Sequence, residues 1–269
     1  MKRNLAQKLL ALASGAIYAF IYLPLAVLVV FSFNAPKEGI SARESVYATG
    51  KWQGFTLEWY DNLLQDELTM AAFQKSLMVA FSSVIISVIL GTMTAFVLFR
   101  YRFWGKALFE QVLYIPLFMP SVIIGVSTLL FFAFISFPLG YFSILAAHVA
   151  FTIPLVTLVV LARMQRINWT LEEAAMDLGA DQWTAWRKVI FPLMRPGIFA
   201  AALLAFPWSF NDFVITFFVT GPGWTTLPIR IYSMMRIGIS PVVNALGALM
   251  MFGSLALVIA GLLLQRRRA

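Results

Sequence analysis

The longest stretch without a charged side chain runs from Gln111 to Ala162, and it sets the class of fold. It contains no Asp, Glu, Lys or Arg, and about 20 apolar residues are enough for one helical crossing of a bilayer. The stretch therefore has room for two crossings, with Phe137-Pro138-Leu139-Gly140 as the turn between them. Because its apolar residues are continuous and do not alternate, they predict helices and not the strands of a membrane barrel.

The composition of the whole chain supports a membrane protein. The mean hydropathy is +0.85 and 12% of the residues are charged, a balance that would leave a soluble domain with large exposed apolar patches. The absence of cysteine excludes disulfides and thiolate metal sites. The net charge of +8 would suggest nucleic acid in a soluble protein, but in a membrane protein basic residues in cytoplasmic loops explain it.

The hydropathy pattern predicts an all-α polytopic membrane protein with a single transmembrane domain over residues 1–269. Six spans are expected, at about 10–33, 73–99, 110–134, 141–162, 197–219 and 242–264. We expect residues 34–72 to form the main external loop and residues 163–195 to form a cytoplasmic loop. Within the external loop, a short interfacial helix is predicted around Trp59–Leu64, and Trp52, Trp59 and Tyr60 suit the lipid headgroups.

Basic residues predict the orientation of these spans. More than half of the 20 fall on one side of the predicted topology: Lys2, Arg3, Lys8, Arg100, Arg102, Lys106, Arg163, Arg166, Arg187, Lys188, Arg195, Arg266, Arg267 and Arg268. The other side holds Lys37, Arg43, Lys51, Lys75, Arg230 and Arg236. The positive-inside rule therefore places both termini and the 163–195 loop in the cytoplasm.

The first apolar run is longer than that of a secretory signal, so we expect it to be retained.

A polar segment, Glu172–Pro192, interrupts the apolar sequence and predicts two short helices joined by a turn. Thr170 and Glu173 match a capping box, and Gly179 is suited to end the first helix. Asp181 is suited to cap a second helix with Trp183, Trp186 and Ile190 on one face. We expect Pro192 to end this helix and Pro196 to lie in the first turn of the next span.

The charges of this segment favour docking to a protein over resting on lipid. An amphipathic helix on an anionic membrane surface carries basic residues on its polar face. The first helix offers Glu172, Glu173 and Asp177 instead, and such a surface disfavours them. Its small residues permit close approach by a partner, and its glutamates favour the helix dipole and suit basic groups on that partner. The alternative is an ordinary solvated loop that lies on the bilayer.

The same segment resembles the EAA loop of bacterial ABC importer permeases. The resemblance rests on residues whose spacing matches the family pattern: Glu173, Ala174, Ala175, Gly179, Val189, Ile190, Phe191 and Pro192. It implies a type I (MetI-like) permease fold in the bacterial inner membrane. In that family the loop is a coupling helix in a cleft of the ATP-hydrolysing subunit, so Glu172, Asp177 and Leu178 are also expected at the contact. No G-x-x-x-x-G-K-[ST] motif occurs, so we expect no enzymatic activity and no cofactor in this chain, with ATP and Mg²⁺ bound by its partner.

Nearly the whole chain also resembles the spermidine/putrescine permeases. It is carried mainly by the C-terminal third: Asn211-Asp212-Phe213, Phe218–Pro222, Leu227-Pro228, Tyr232–Arg236, Gly238, Pro241 and Asn244-Ala245. The implied partners are a second, non-identical permease, two ATP-binding subunits and an external solute-binding protein. Members of the polyamine family tend to carry two adjacent acids where this chain has Asn211 and Asp212, so opines or other small solutes are alternative cargoes.

Asp212 is the one acid in the last two predicted spans and their connection. A carboxylate within a bilayer is costly, so we expect it to face the bundle interior or water. One interpretation is contact with a cationic solute, together with the aromatic residues Trp208, Phe213 and Trp224 through cation–π attraction. The other is a hydrogen-bonded structural acid or an ion pair with Arg230 or Arg236, with the aromatic rings packing helices or facing lipid.

His148 is the only histidine and lies within a predicted span. A proton relay would need further ionisable partners, and we expect none from the neighbouring spans, so a structural histidine is the preferred interpretation. The rival class for the whole chain is a stand-alone secondary transporter or channel. That class predicts coupling acids or inverted repeats within the spans, and the sequence shows a single acid and no clear repeat.

Overall fold

A computed structural model describes residues 5–35, 52–237 and 241–266, and these residues are almost entirely helical. The helices are α1 Leu5–Phe31, α2 Glu58–Gln65, α3 Glu67–Arg100, α4 Lys106–Phe118, α5 Ser121–Phe134, α6 Tyr141–Met164, α7 Thr170–Asp177, α8 Gln182–Ala185, α9 Phe191–Phe210, α10 Val214–Val219, α11 Leu227–Ile237 and α12 Pro241–Arg266. A π-helical turn, Trp186–Ile190, joins α8 to α9. Extended pairing in the described residues is limited to one bridge, between Asn34 and Phe55.

The predicted number of spans agrees with these helices. In the described residues, α1, α3, α6, α12 and the continuous helix Gln182–Phe210 are each long and apolar enough to cross a membrane, and α4 with α5 makes a sixth if the pair counts as one span. The turn predicted at 137–140 is confirmed between α5 and α6. Residues 36–51 of the predicted external loop, which include Lys37, Arg43 and Lys51, lie outside the described residues.

The region predicted as the third span, 110–134, forms two helices. Helices α4 and α5 meet at an angle of 111°, and Met119 between them has an extended backbone with ψ 140°. Pro120 accounts for the break, since a proline disfavours the helical conformation of the residue before it. The predicted bounds of this span thus cover a bent pair of helices.

The fifth span starts earlier and ends earlier than the predicted 197–219. The chain is helical without interruption from Gln182 to Phe210, so the expectation that Pro192 ends a helix is wrong. The Phe191 N–H donates to the Trp186 carbonyl five residues back, and this wider turn comes directly before the proline. Pro192 itself lies in the first turn of α9 and has no N–H to donate to the π-helical turn before it. Pro196 lies within α9 and not in the first turn.

The described residues divide into two compact units. The first comprises Met1–Met70 and Ile231–Ser254, and its centre is the segment around α2. The Trp59 indole is 1% exposed and donates to the Asn34 carbonyl at 2.7 Å, while the Tyr60 and Ser32 hydroxyls are 2.6 Å apart. The predicted short helix is confirmed as α2. The expectation that Trp59 lies among headgroups is wrong, because its ring packs inside this unit.

The second unit comprises Ala71–Arg230 and Leu255–Ala269, and α6 is its central helix. Helix α6 packs against α9, α10, α4 and α5. The apolar core combines buried side chains from four helices: Val79, Phe132, Ile144, Ala147, Phe151, Ile215 and Val219. The helices approach closely at small residues, as is typical of membrane bundles. At Gly91, for example, a Cβ atom would lie 2.7 Å from Val156 Cγ1.

We predict that Gly221→Ala destabilises the protein by about 1–3 kcal/mol through overpacking. A Cβ at this position would collide with the backbone carbonyl of Leu139, which cannot move as a side chain does. Thermal unfolding of the purified protein in detergent measures the effect. Gly253→Ala is the matched control, because a Cβ there meets no atom within 4 Å, and the control is expected to be neutral or slightly more stable, since alanine favours a helix over glycine. Equal unfolding temperatures for the two variants would contradict the prediction.

Candidate functional site

Helix α7 opens the polar segment, and its N-terminus differs from the prediction. Thr170 is the first helical residue and not the cap, so the expected capping box is wrong. The Asn168 Oδ1 atom instead accepts hydrogen bonds from the Thr170 N–H at 3.2 Å and from its hydroxyl at 2.8 Å. Asn168, two residues earlier, thus accepts the Thr170 N–H that a capping box would have paired with the Glu173 side chain.

The turn after α7 confirms the prediction for Gly179. This glycine has φ +92°, and two hydrogen bonds close the helix end, from the Gly179 N–H to Met176 and from the Ala180 N–H to Ala175. The pair of bonds is the Schellman motif, which favours glycine at the left-handed position. A Cβ at Gly179 would meet nothing within 4 Å, so the turn is open on its outer side.

The second helix of the segment follows the turn. Asp181 is the N-cap residue of α8, as predicted, and its side-chain hydrogen bond with Thr184 holds the pKa of the Asp181 carboxyl below its usual range. The Trp183 and Trp186 rings stack at 5.3 Å. Ile190 is buried whereas Trp183 is mostly exposed, so the three apolar residues do not share one buried face. Their spacing crosses the π-helical turn, which shifts the face of every residue after it.

The predicted coupling residues differ in how exposed they are. Glu172 is buried, with 4% of its surface exposed, and pairs with Arg100. Leu178 is 90% exposed. The remaining exposed members are Glu173, Ala174, Asp177 and Gly179, and the half-buried ones are Ala175, Val189 and Pro192. One face of α7 is therefore used within the chain, and the other is open to a partner.

A cluster of buried polar side chains joins α3, α6, α9 and α10. The His148 Nδ1 atom lies 2.7 Å from the Ser209 hydroxyl, and its Nε2 atom lies 2.8 Å from the Thr216 hydroxyl. The Ser209 hydroxyl is also 2.9 Å from that of Ser83. Asp212 Oδ2 accepts hydrogen bonds from the N–H and the hydroxyl of Thr216, both at 2.8 Å. Both ring nitrogens of His148 thus have a partner, as expected of a structural histidine.

One expectation about this cluster is wrong. We expected no ionisable partner for His148 from the neighbouring spans, yet Asp212 Oδ2 lies 3.6 Å from His148 Nε2. The partner follows α9, in the break before α10, where the predicted span was continuous. The Asp212 side chain is 9% exposed, and this burial with its hydrogen bonds favours the structural acid among the interpretations left open.

The predicted pathway aromatic residues do not form one group. Trp224 packs against Tyr141, with ring centroids 4.9 Å apart, at the edge of the apolar core. Phe213 contacts Phe217 at 5.5 Å, and Trp208 is 45% exposed. Of Trp208, Phe213 and Trp224, only Trp208 keeps a large exposed surface.

Sequence reasoning missed three members of the polar cluster, Ser83, Ser209 and Thr216. One signal was present for the first: Ser76, Ser83 and Ser87 recur at spacings of seven and four residues, which places them on one face of a helix. All three are buried. Arg100 was assigned only to the basic side of the topology, and nothing in its spacing pointed to Glu172.

The comparisons with known proteins identify the family. Residues 87–269 match the profile of the family "Binding-protein-dependent transport system inner membrane component". The chain belongs to this family of membrane permease proteins. It is 39% identical over 251 residues to the spermidine/putrescine transport system permease protein PotC of Escherichia coli K12, which covers 93% of this chain and 91% of PotC. It is 37% identical over 241 residues to the putrescine transport system permease protein PotI of the same strain, covering 87% of this chain and 82% of PotI.

Solved structures agree on the fold. A chain of a bacterial ABC transporter involved in import of the acidic polysaccharide alginate matches with a TM-score of 0.73 and 17% identity, over 99% of this chain and 96% of that one. A chain of the MetNI methionine ABC transporter matches with a TM-score of 0.61 and 18% identity, over 80% of this chain and 100% of that one. The predicted all-α fold of the type I importer permeases is thus confirmed, and the rival class of secondary transporters and channels is excluded.

We predict that Thr216→Val destabilises the protein by about 1–3 kcal/mol, because it leaves a buried carboxylate oxygen and a buried imidazole nitrogen without their hydroxyl partner. Thermal unfolding in detergent is the measurement. Thr94→Val serves as the control, since the Thr94 hydroxyl only donates to the Leu90 carbonyl of its own helix. If both variants unfold at the wild-type temperature, the polar cluster does not stabilise the bundle.

Proposed function

We propose that this chain is the permease subunit of an ABC importer for polyamines in the bacterial inner membrane. The observation that carries the cargo is its 39% identity to PotC across 93% of the chain, together with the similarity to PotI. The cargo would then be a flexible cation of the spermidine or putrescine type. We infer that the whole chain acts as one transmembrane domain with both termini in the cytoplasm, as its basic residues indicate.

The proposed partners follow from the permease class. A second, homologous permease would complete the pathway, an external binding protein would deliver the cation, and two ATP-binding subunits would hydrolyse ATP. ATP and Mg²⁺ would be bound by those subunits, since this chain has no phosphate-binding motif. Its own contribution is to form part of the pathway and to receive the motion of the ATPase.

The exposed face of α7 is the proposed docking surface for the ATPase. Leu178 projects at the turn after α7 with almost no contact from its own chain, although it lies in the polar segment outside the apolar spans. Met176 and Trp183 of the same segment are exposed as well, and a group of exposed apolar side chains rimmed by polar residues is typical of a protein contact. Glu173 and Asp177 are exposed beside it and would meet basic groups of the partner, and Ala174 leaves room for close approach.

The pathway residues remain proposals with different support. Asp212 has Oδ2 occupied by Thr216, which favours a role in holding the start of α10 over direct contact with the cation. Phe213 and Trp224 are engaged with neighbouring rings. The half-exposed Trp208 is the aromatic face best placed to attract an alkylammonium group through cation–π interaction.

We predict that the assembled importer accumulates putrescine or spermidine. Cells without their own polyamine uptake, expressing this chain with the ATPase, second permease and binding protein of its own genome, are expected to take up labelled putrescine in an ATP-dependent way. Unlabelled spermidine should compete and an uncharged solute should not. A control with an inactivated ATPase subunit should show no uptake. Import of an opine or amino-acid derivative without competition by polyamines would overturn the proposed cargo and keep the ABC class.

We predict that Leu178→Asp weakens the association with the ATPase by about 2 kcal/mol or more, since it places a charge in the centre of an apolar contact. Recovery of ATPase subunits with the tagged permease measures the change. Leu64→Asp is the matched control: Leu64 is also an exposed leucine, in α2 on the predicted external side. Wild-type recovery with both variants would remove α7 from the docking surface.

A further inference from the structure

The buried acid of α7 is tied to the end of α3 by a two-point ion pair. Arg100 is the last residue of α3. Its Nη1 donates to Glu172 Oε2 at 2.7 Å, and its Nη2 donates to Glu172 Oε1 at 3.2 Å. The Glu172 side chain is 5% exposed and that of Arg100 is 33% exposed. A two-point pair between a guanidinium and a carboxylate fixes orientation as well as distance.

Aromatic contacts surround this pair and bring in the end of α6. The Trp169 ring, directly before α7, stacks on Phe99 with centroids 4.7 Å apart. The Arg100 guanidinium lies 5.9 Å from the centre of the same Trp169 ring. The Trp169 indole donates to the carbonyl of Met164, the last residue of α6, at 3.0 Å. The ends of α3 and α6 and the start of α7 thus form one joint.

Two other connections from α7 to the spans run along the chain: residues 165–169 lead back to α6, and the Gly179 turn, α8 and the π-helical turn lead on to α9. The route to α9 begins with an open turn, where a Cβ at Gly179 would meet no neighbour, and α7 packs against α8 and the π-helical turn. The Arg100–Glu172 pair supplies a further connection, to a helix more than 70 residues earlier in the chain.

We propose that Arg100 and Glu172 are positioning residues that carry the motion of α7 to α3. The inference rests on the proposed function, in which an ATPase acts on the exposed face of α7. A partner that moves α7 then moves the end of α3 directly, and not only α6 and α9 through the chain. Lysine cannot replace Arg100 in this role, because a single ammonium group lacks the planar two-point geometry.

The test uses the full importer in proteoliposomes and measures solute transported per ATP hydrolysed. Glu172→Gln and Arg100→Lys are each expected to lower this ratio by about fivefold or more, the lower end of coupling between sites, while the ATPase subunits still co-purify. The exchanged pair, Arg100→Glu with Glu172→Arg, is expected to recover part of the ratio. Glu110→Gln is the matched control, since it breaks the half-buried Lys106–Glu110 pair at 3.9 Å, which lies within one helix, and should leave the ratio unchanged.

Three results would overturn the proposal. The first is an unchanged ratio in both single variants with an intact complex. The second is an exchanged pair that assembles but recovers nothing. The third is loss of assembly in the single variants and the exchanged pair alike, because the pair would then be needed for folding and not for coupling. Failure of the proposed function is distinct, because the wild-type importer itself would then transport no polyamine.

Discussion

The interior of a bilayer holds no water to satisfy polar groups, and this constraint shapes every break in the apolar helices. Each interruption has to supply its own hydrogen bonds. At the break between α4 and α5, the Pro120 carbonyl accepts the N–H groups of Ile123 and Ile124 in the first turn of α5. At the break between α9 and α10, the Asp212 carboxylate accepts the Thr216 N–H. The same carboxylate lies 3.6 Å from His148 Nε2. The polar cluster is therefore the consequence of ending a helix inside an apolar bundle.

The extent to which the fold was predictable follows from the same physics. Hydropathy located α1, α3, α6 and α12 to within a few residues, because a span needs only length and apolar character. It failed at prolines, whose effect depends on context: Pro120 breaks a span, whereas Pro192 lies in the first turn of α9 after a π-helical turn and Pro196 lies within α9. A proline restricts the backbone locally, but the surrounding packing decides whether the chain bends or continues.

The site was predictable only where its signal is local. The glycine requirement at Gly179 comes from a turn of a few residues, and the turn formed as expected. The partners of His148 lie 61 and 68 residues away, and a single sequence holds no information about such distances. Glu172 and Glu173 are a second example. They are adjacent and identical, yet Glu172 is buried and Glu173 is exposed. Only the position of Arg100 decides which of them is buried.

Helix α7 is short, so the same few residues have to meet two requirements. Under the proposed function it offers a partner the exposed Glu173 and, at the turn after it, Leu178, and it has to keep a fixed direction although that turn is open. A helix of eight residues is too short to be stable by itself, so neighbouring elements have to hold it. The stacking of Trp169 on Phe99 and the pairing of Glu172 with Arg100 do so from the side of α3. Under the proposed function, the contacts that stabilise α7 are thus the same contacts through which it would act on the spans.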